Sequence, residues 1–138
     1  MTQHVFTYGT LMSPDIMRAA CGELPPAVPA RLDGFSRHPV AGEDYPGIRR
    51  NAGHSVGGLL YLDVPASPLA RLDRFEGEQY VREQVRVMLE DGRQHTAWTY
   101  VFKPEYAHLL QPDEWHFEAF LHTTLQRFRD RYIGFQRG

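Results

Sequence analysis

The sequence holds a single cysteine, Cys21, among its 138 residues. One cysteine cannot close an internal disulfide, so packing has to hold the fold and a reducing compartment is expected. Lysine is equally scarce: fourteen of the 15 basic residues are arginine, and only Lys103, in a loop-like Lys103-Pro104 setting, is lysine. A lysine-dependent mechanism therefore has one candidate. No sign of charge prevails, since 15 basic and 17 acidic residues leave a formal net charge of -2. Nucleic acid selects a basic face, and nothing here supplies one. No apolar run approaches the ~20 residues of a membrane-spanning helix. The opening Met1-Thr2-Gln3-His4-Val5-Phe6-Thr7-Tyr8 has no basic region and too short an apolar run for a secretory signal. These absences lead to the expectation of a cytoplasmic protein with no nucleic-acid and no membrane partner, and they leave the oligomeric state open.

Several chemistries are missing as motifs. Seven histidines (His4, His38, His54, His95, His108, His116, His122) are scattered with no H-E-x-x-H pairing, so no metal site is expected. His116 and Glu118 stand two apart, which on a helix points them in different directions. There is no G-x-S-x-G elbow, no phosphate-binding G-x-x-x-x-G-K-[ST] and no dinucleotide G-x-G-x-x-G. Cys21, at an expected helix end, reads as a small core residue rather than a nucleophile.

What is present is an ordinary globular composition, 42 % hydrophobic and 12 % aromatic. A chain of this length buries roughly two thirds of its unfolded surface, enough for one core, and residues 1–138 read as one domain. Val5 to Tyr8 reads as a short strand. Pro14 to Ala20 reads as a helix, with Ser13 as N-cap, Pro14 in the first turn and Gly22 as the stop. Leu24 to Pro29 is too proline-rich for a helix or a central strand. Arg31 to Arg37 and Val56 to Val64 are strand candidates, and the glycine-, proline- and charge-rich stretch from His38 to Ser55 reads as a long loop. A helix restarts at Ser67-Pro68, carries Leu69, Leu72 and Phe75 as an apolar stripe, and ends at Gly77.

Val81, Val85, Val87 and Leu89 then alternate with Arg82, Gln84, Arg86 and Met88 ahead of Asp91-Gly92, a pair favoured in tight hairpins. Folding back on that pair sets Val85 opposite Trp98, Val81 opposite Phe102 and Glu83 opposite Tyr100. Glu83 would then point inward, so either a bulge turns it out or it shares a polar pocket with Tyr100. Finally, Glu114 to Tyr132 reads as an amphipathic helix, with Phe117, Phe120, Leu121, Leu125 and Phe128 opposite Glu118, His122, Arg129 and Asp130. Strands and helices mix without regular alternation, so the fold class is α+β: a strongly curved, largely antiparallel sheet, open or closed, covered by helices.

Three stretches carry candidate chemistry. Tyr8-Gly9-Thr10-Leu11 follows a strand, where a glycine permits a sharp turn and successive N–H groups can hold a carboxylate or an oxyanion. On spacing alone it also reads as a simple strand-to-helix connection. In Leu72-Asp73-Arg74-Phe75-Glu76-Gly77, Glu76 lies beside the apolar stripe at a helix C-terminus, whose partial negative charge raises a carboxylate's pKa and suits it to proton transfer. Its plain alternative is a solvated glutamate near a glycine stop, and Asp73 reads as a solvated or capping group. In Asp44-Tyr45-Pro46-Gly47-Ile48, Tyr45 either leans over a ligand or plugs a tight turn.

Taken together, Val5-Phe6-Thr7-Tyr8-Gly9-Thr10-Leu11, Leu72-Asp73-Arg74-Phe75-Glu76-Gly77 and Tyr80-Val81-Arg82 resemble the γ-glutamylcyclotransferase-like superfamily. The branch they look like is that of the avirulence-induced-gene-like and γ-glutamylamine cyclotransferase-like proteins. The Tyr45-Pro46 loop and the Trp98 to Tyr100 strand fall where that branch has them, and the match runs from Val5 to about Phe102. The resemblance implies a small mixed β-barrel flanked by helices, with one cavity and no metal or cofactor. It implies that Tyr8, Gly9, Thr10 and Leu11 bind substrate through the backbone, Thr10 standing where the pattern usually has serine. It makes Glu76 the acid/base, places Tyr45, Tyr80 and Tyr100 as cavity-lining positions, and makes the partner a small γ-glutamyl substrate that is cyclised to 5-oxoproline. Two alternatives stand beside this: a non-catalytic module binding a small acidic metabolite in the same cavity, and a cyclotransferase or hydrolase acting on another amide.

Overall fold

The computed structural model describes residues 3–121. Its elements run β1 (Gln3–Thr7), a 3-10 turn (Thr10–Met12), α1 (Pro14–Cys21), β2 (Ala27–Pro39), β3 (Pro46–Val64), α2 (Ala66–Glu76), β4 (Tyr80–Leu89), β5 (Gln94–Phe102), a 3-10 helix (Pro104–Leu109) and α3 (Phe117–Ala119). The five strands form a closed barrel in the order β1-β3-β2-β4-β5. Its seams are antiparallel except the closing one, where β1 runs parallel to β5 with Val5 beside Trp98. The fold is therefore a mixed, largely antiparallel barrel with helices outside it.

Alternation along the strands builds two cores. Phe6, Leu32, Phe35, Ile48, Val56, Leu60, Val87, Ala97 and Val101 come from strands alone and fill the barrel. Their neighbours Val5, Tyr61, Val64, Tyr80, Tyr100 and Phe102 face outward and pack with Ile16 and Met17 of α1 and Leu69 and Leu72 of α2. With both faces of the wall covered, the end of β5, Ala97 to Phe102, reads as a nearly continuous apolar run.

The helices follow their local signals. Gly22 closes α1 with φ 89° in the left-handed region, its N–H donating to the Arg18 carbonyl. Ser13 occupies the N-cap of α1 without a side-chain hydrogen bond; its carbonyl accepts from Met17 N–H at 3.0 Å. In α2, Leu69 and Leu72 are buried and Phe75 is half-buried.

The stretch expected to be a long loop is instead paired. β2 and β3 are 13 and 19 residues long and stay in register from Phe35–Arg50 to Pro39–Pro46, leaving only residues 40–45 as the turn. The register shifts between Asp33 and Phe35, beside Gly34 at φ 84°. Backbone pairing needs no apolar side chain, so this ladder left no alternating signature to read. Pro29 also lies within β2, opposite Leu59. β4 reaches β2 only at Ala30 and Arg31, so Pro29 stands on an edge where its missing N–H breaks no ladder bond.

The β4–β5 register differs from the expected one by a residue. Val85 faces Ala97, Val81 faces Val101 and Glu83 faces Thr99, while Tyr100 faces Arg82 and Trp98 faces Gln84. The cause is the turn: Leu89 N–H donates to the Arg93 carbonyl at 2.8 Å, enclosing three residues, Glu90, Asp91 and Gly92, with Gly92 at φ 87°. One extra loop residue moves every side chain of one strand to the other face. Glu83 accordingly shares neither a face nor a pocket with Tyr100; it accepts a 2.8 Å hydrogen bond from Arg50.

The last expected helix starts later than Glu114. Trp115 is buried, its N–H donating to the Arg37 carbonyl at 3.3 Å, and His116 is still extended, so helical backbone begins at Phe117. Phe120 is buried whereas Leu121, expected on the same apolar face, is 40 % exposed. The rest of the expected helix, with His122, Leu125, Phe128, Arg129, Asp130 and Tyr132, lies outside the described residues.

Candidate active site

At one end of the barrel, β1 runs into Tyr8-Gly9-Thr10-Leu11. Tyr8 is buried, and its hydroxyl donates to the Tyr100 carbonyl at 2.6 Å, tying the end of β1 to β5. Gly9 abuts Pro46 at the start of β3: a Cβ there would fall 2.7 Å from Pro46 Cγ, so close approach is what demands the glycine. The chain then makes a single 3-10 turn, with Met12 N–H donating to the Gly9 carbonyl and Ser13 N–H to the Thr10 carbonyl. Within the described residues, the N–H groups of Gly9, Thr10 and Leu11 have no backbone acceptor. Three adjacent buried donors of this kind call for an acceptor.

Glu76 closes α2, where Gly77, at φ 83°, releases the chain toward β4. From the start of β4, Tyr80 donates to the Pro46 carbonyl at 2.7 Å and holds that edge of the site. Tyr45 leans on Tyr80 with ring centroids 6.2 Å apart and donates to Gln79 Oε1 at 3.2 Å. The eight residues singled out in the sequence, Tyr8, Gly9, Thr10, Leu11, Tyr45, Glu76, Tyr80 and Tyr100, all line one narrow cavity, together with Phe6, Thr7 and Pro46. Glu76 and Tyr45 also line a wider open groove with Val40, Ala41, Glu43, Glu78, Gln79 and Leu109. Glu76 thus stands where the cavity meets the outside.

Burial, and after it the negative charge of Asp73, push the Glu76 carboxyl up to about 8. Asp73, expected as a solvated or capping group, is instead held by two side chains. Its Oδ1 accepts from Tyr100 Oη at 2.7 Å and from Arg82 Nε at 3.0 Å, and the Arg82 guanidinium lies 4.5 Å from the centroid of the Trp98 ring. Those contacts anchor an anion three residues before Glu76, on the same side of the helix. That i, i+3 spacing was the available signal. Burial, then the bond to Asp73, raises the Tyr100 phenol as well, and burial raises Tyr8, so both remain hydrogen-bond donors. Cys21 is buried, 3.0 Å from the Glu23 carbonyl, its thiol raised by burial and thus unreactive. Among the described residues, no three His, Cys, Asp or Glu side chains are grouped as metal ligands, and no helix is long and apolar enough to cross a membrane.

This architecture has relatives. AIG2-like protein D of Arabidopsis thaliana is 31 % identical over 134 residues, covering 90 % of this chain and 88 % of its own. The solution structure of At5g39720.1 from Arabidopsis thaliana superposes with a TM-score of 0.70 at 28 % identity, over 94 % of this chain and 87 % of that one. A structure titled gamma-glutamyl cyclotransferase shares the fold, with a TM-score of 0.65 at 20 % identity over 79 % of this chain and 76 % of that one. The family model described as "Gamma-glutamyl cyclotransferase, AIG2-like" matches residues 5–117, from the first strand to the last helix and across every residue of the cavity, and the chain belongs to that family.

Proposed function

We propose that the protein is a γ-glutamylcyclotransferase that closes the glutamyl part of a γ-glutamyl amide into 5-oxoproline and releases the amine. The observation that carries this reading is that Glu76 lines one small cavity with Gly9, Thr10 and Leu11, whose N–H groups have no backbone acceptor among the described residues. The amides hold the substrate's α-carboxylate, which leaves the α-amine next to Glu76 and the departing amine toward the outer groove. Glu76 takes a proton from the α-ammonium. The freed nitrogen attacks the γ-carbonyl carbon, forming the ring C–N bond; Glu76 gives its proton to the leaving nitrogen as the amide C–N bond breaks, and the second proton shed by the ring nitrogen passes to the departing amine, which leaves as an ammonium. Nucleophile and carbonyl belong to one molecule, so folding the substrate supplies much of the rate. A carboxyl raised to about 8 stands close to an amine in proton affinity, as a group that both removes and returns a proton should.

The test is 5-oxoproline release from γ-glutamyl amino acids, γ-glutamylamines and glutathione by the wild type and by Glu76→Gln. The expected result is turnover of at least one class, reduced about 10²–10⁴-fold by the substitution because glutamine cannot accept and return a proton. Equal turnover by the two proteins would remove Glu76 from the reaction. Binding without turnover across the whole panel would make the cavity a metabolite-binding module instead.

A further inference from the structure

Against the strand-end loop lies a cation the reaction does not need for proton transfer. Arg37, half-buried on β2, donates through Nη1 to the Tyr8 carbonyl at 2.7 Å and to the Gly57 carbonyl at 3.1 Å. Its guanidinium carbon lies 5.6 Å from the centroid of the Trp115 ring, and its Nε is buried with no hydrogen-bond partner among the described residues. The carboxylate of Glu114 favours its charge electrostatically, yet no described carboxylate stands within ion-pair distance of it. A permanently charged group in such a place carries a desolvation penalty that ordinary packing would avoid. Its two direct hydrogen bonds go to backbone carbonyls, and one of those belongs to the residue that precedes the cavity's amides.

The Tyr8–Gly9 peptide links the two. In a planar trans peptide the carbonyl and the following N–H point in opposite directions. Gripping the Tyr8 carbonyl from behind therefore fixes the direction of the Gly9 N–H, while the Tyr8 hydroxyl, bonded to Tyr100, keeps the residue from rotating. A charge-assisted bond to the carbonyl also polarises the peptide and strengthens its N–H as a donor. We propose that Arg37 is a positioning residue that aligns and polarises the Gly9–Leu11 amides for the substrate's carboxylate, acting through the Tyr8 carbonyl without touching substrate. This role rests on the cavity being the γ-glutamyl site proposed above.

Two variants separate this role from simple packing. Arg37→Met keeps the stem and the contact with Trp115 but loses both hydrogen bonds; Arg37→Lys retains a charged donor. In 5-oxoproline release, Arg37→Met is expected to raise KM for the γ-glutamyl amide at least tenfold with kcat changed no more than a few-fold, and Arg37→Lys to recover most of the loss. Anchoring that is equal in the ground and transition states gives that split. In the protein without substrate, the Gly9, Thr10 and Leu11 amides are expected to exchange with solvent at least tenfold faster in Arg37→Met than in wild type and Arg37→Lys, with exchange in the β4–β5 hairpin unchanged. An unchanged KM, or exchange that quickens equally in the hairpin, overturns the proposal. If the wild type cyclises nothing, the proposed reaction falls, and amide exchange alone then decides whether Arg37 positions the loop.

Discussion

Glu76 shows how one residue ties stability to pH. Its carboxyl ordinarily titrates at 4.5 and is pushed up to about 8 in the fold. Between those values the folded protein holds a proton that the unfolded chain has lost, so the raised group lowers stability progressively as pH climbs through that window, and the loss levels off above about 8. Glu76→Gln removes the penalty. Its melting temperature relative to wild type is therefore expected to be higher at pH 9 than at pH 5; thermal unfolding at the two pH values checks this, and an equal difference at both contradicts it. In catalysis, the base form appears only as pH rises, so kcat/KM should climb along an acid limb with its midpoint near 8. Asp73→Asn takes away the neighbouring charge and should move that midpoint down by about half a unit to one unit. A pH–rate profile that does not shift would leave burial as the sole cause. Helix-end position and an apolar stripe make Glu76 legible in the sequence, whereas the role of Asp73 is not, because its two partners, Arg82 and Tyr100, arrive from β4 and β5.

Elements were legible where turns and caps announce them. Pro14 and Gly22 bound α1, Gly77 ends α2, and Asp91-Gly92 marks a hairpin. The register was less legible, because it depended on whether that hairpin's loop encloses two residues or three. Gly92 at φ 87°, with nothing near its missing side chain, makes the loop a clean test of backbone strain. Gly92→Ala is expected to lose about 1 kcal/mol in urea unfolding through left-handed strain alone, with turnover unchanged. Gly9→Ala should behave differently. Its new methyl would fall 2.7 Å from Pro46 Cγ, closer than van der Waals contact allows, so it should lose about 1–3 kcal/mol and lower kcat/KM as well. Should Gly9→Ala turn over like wild type, the seat of the loop on Pro46 has no bearing on the site. The extended β2–β3 ladder, by contrast, was invisible: its outer pairs, such as His38–Gly47 and Pro39–Pro46, are joined by backbone and carry no alternating pattern.

On the scale of the whole molecule, two cores share one wall of strands, since Phe6 faces in where Val5 faces out, and Leu60 in where Tyr61 faces out. Such sharing should make the described fold one cooperative unit. Leu60→Ala, inside the barrel, and Leu72→Ala, under α2, are each expected to lose about 2–5 kcal/mol, with near-ultraviolet circular dichroism and tryptophan fluorescence reporting coincident transitions. Separate transitions for the two probes would show that the helical layer melts independently of the barrel.

Composition, helix limits and the three chemical stretches were set by residues near one another in the chain, because caps, turns and apolar periods act over a few positions. The order and spacing of those stretches also sufficed to point to the family. What joined them was closure of the barrel. Only when β1 pairs with β3 and β5, and Gly9 settles against Pro46, does a glutamate at the end of α2 stand across from amides at the end of β1. The proton affinity of Glu76, the anchoring of Asp73 and the grip of Arg37 on Tyr8 belong to that same level. They depend on burial and on partners distant in sequence, and burial exists only once the chain has folded.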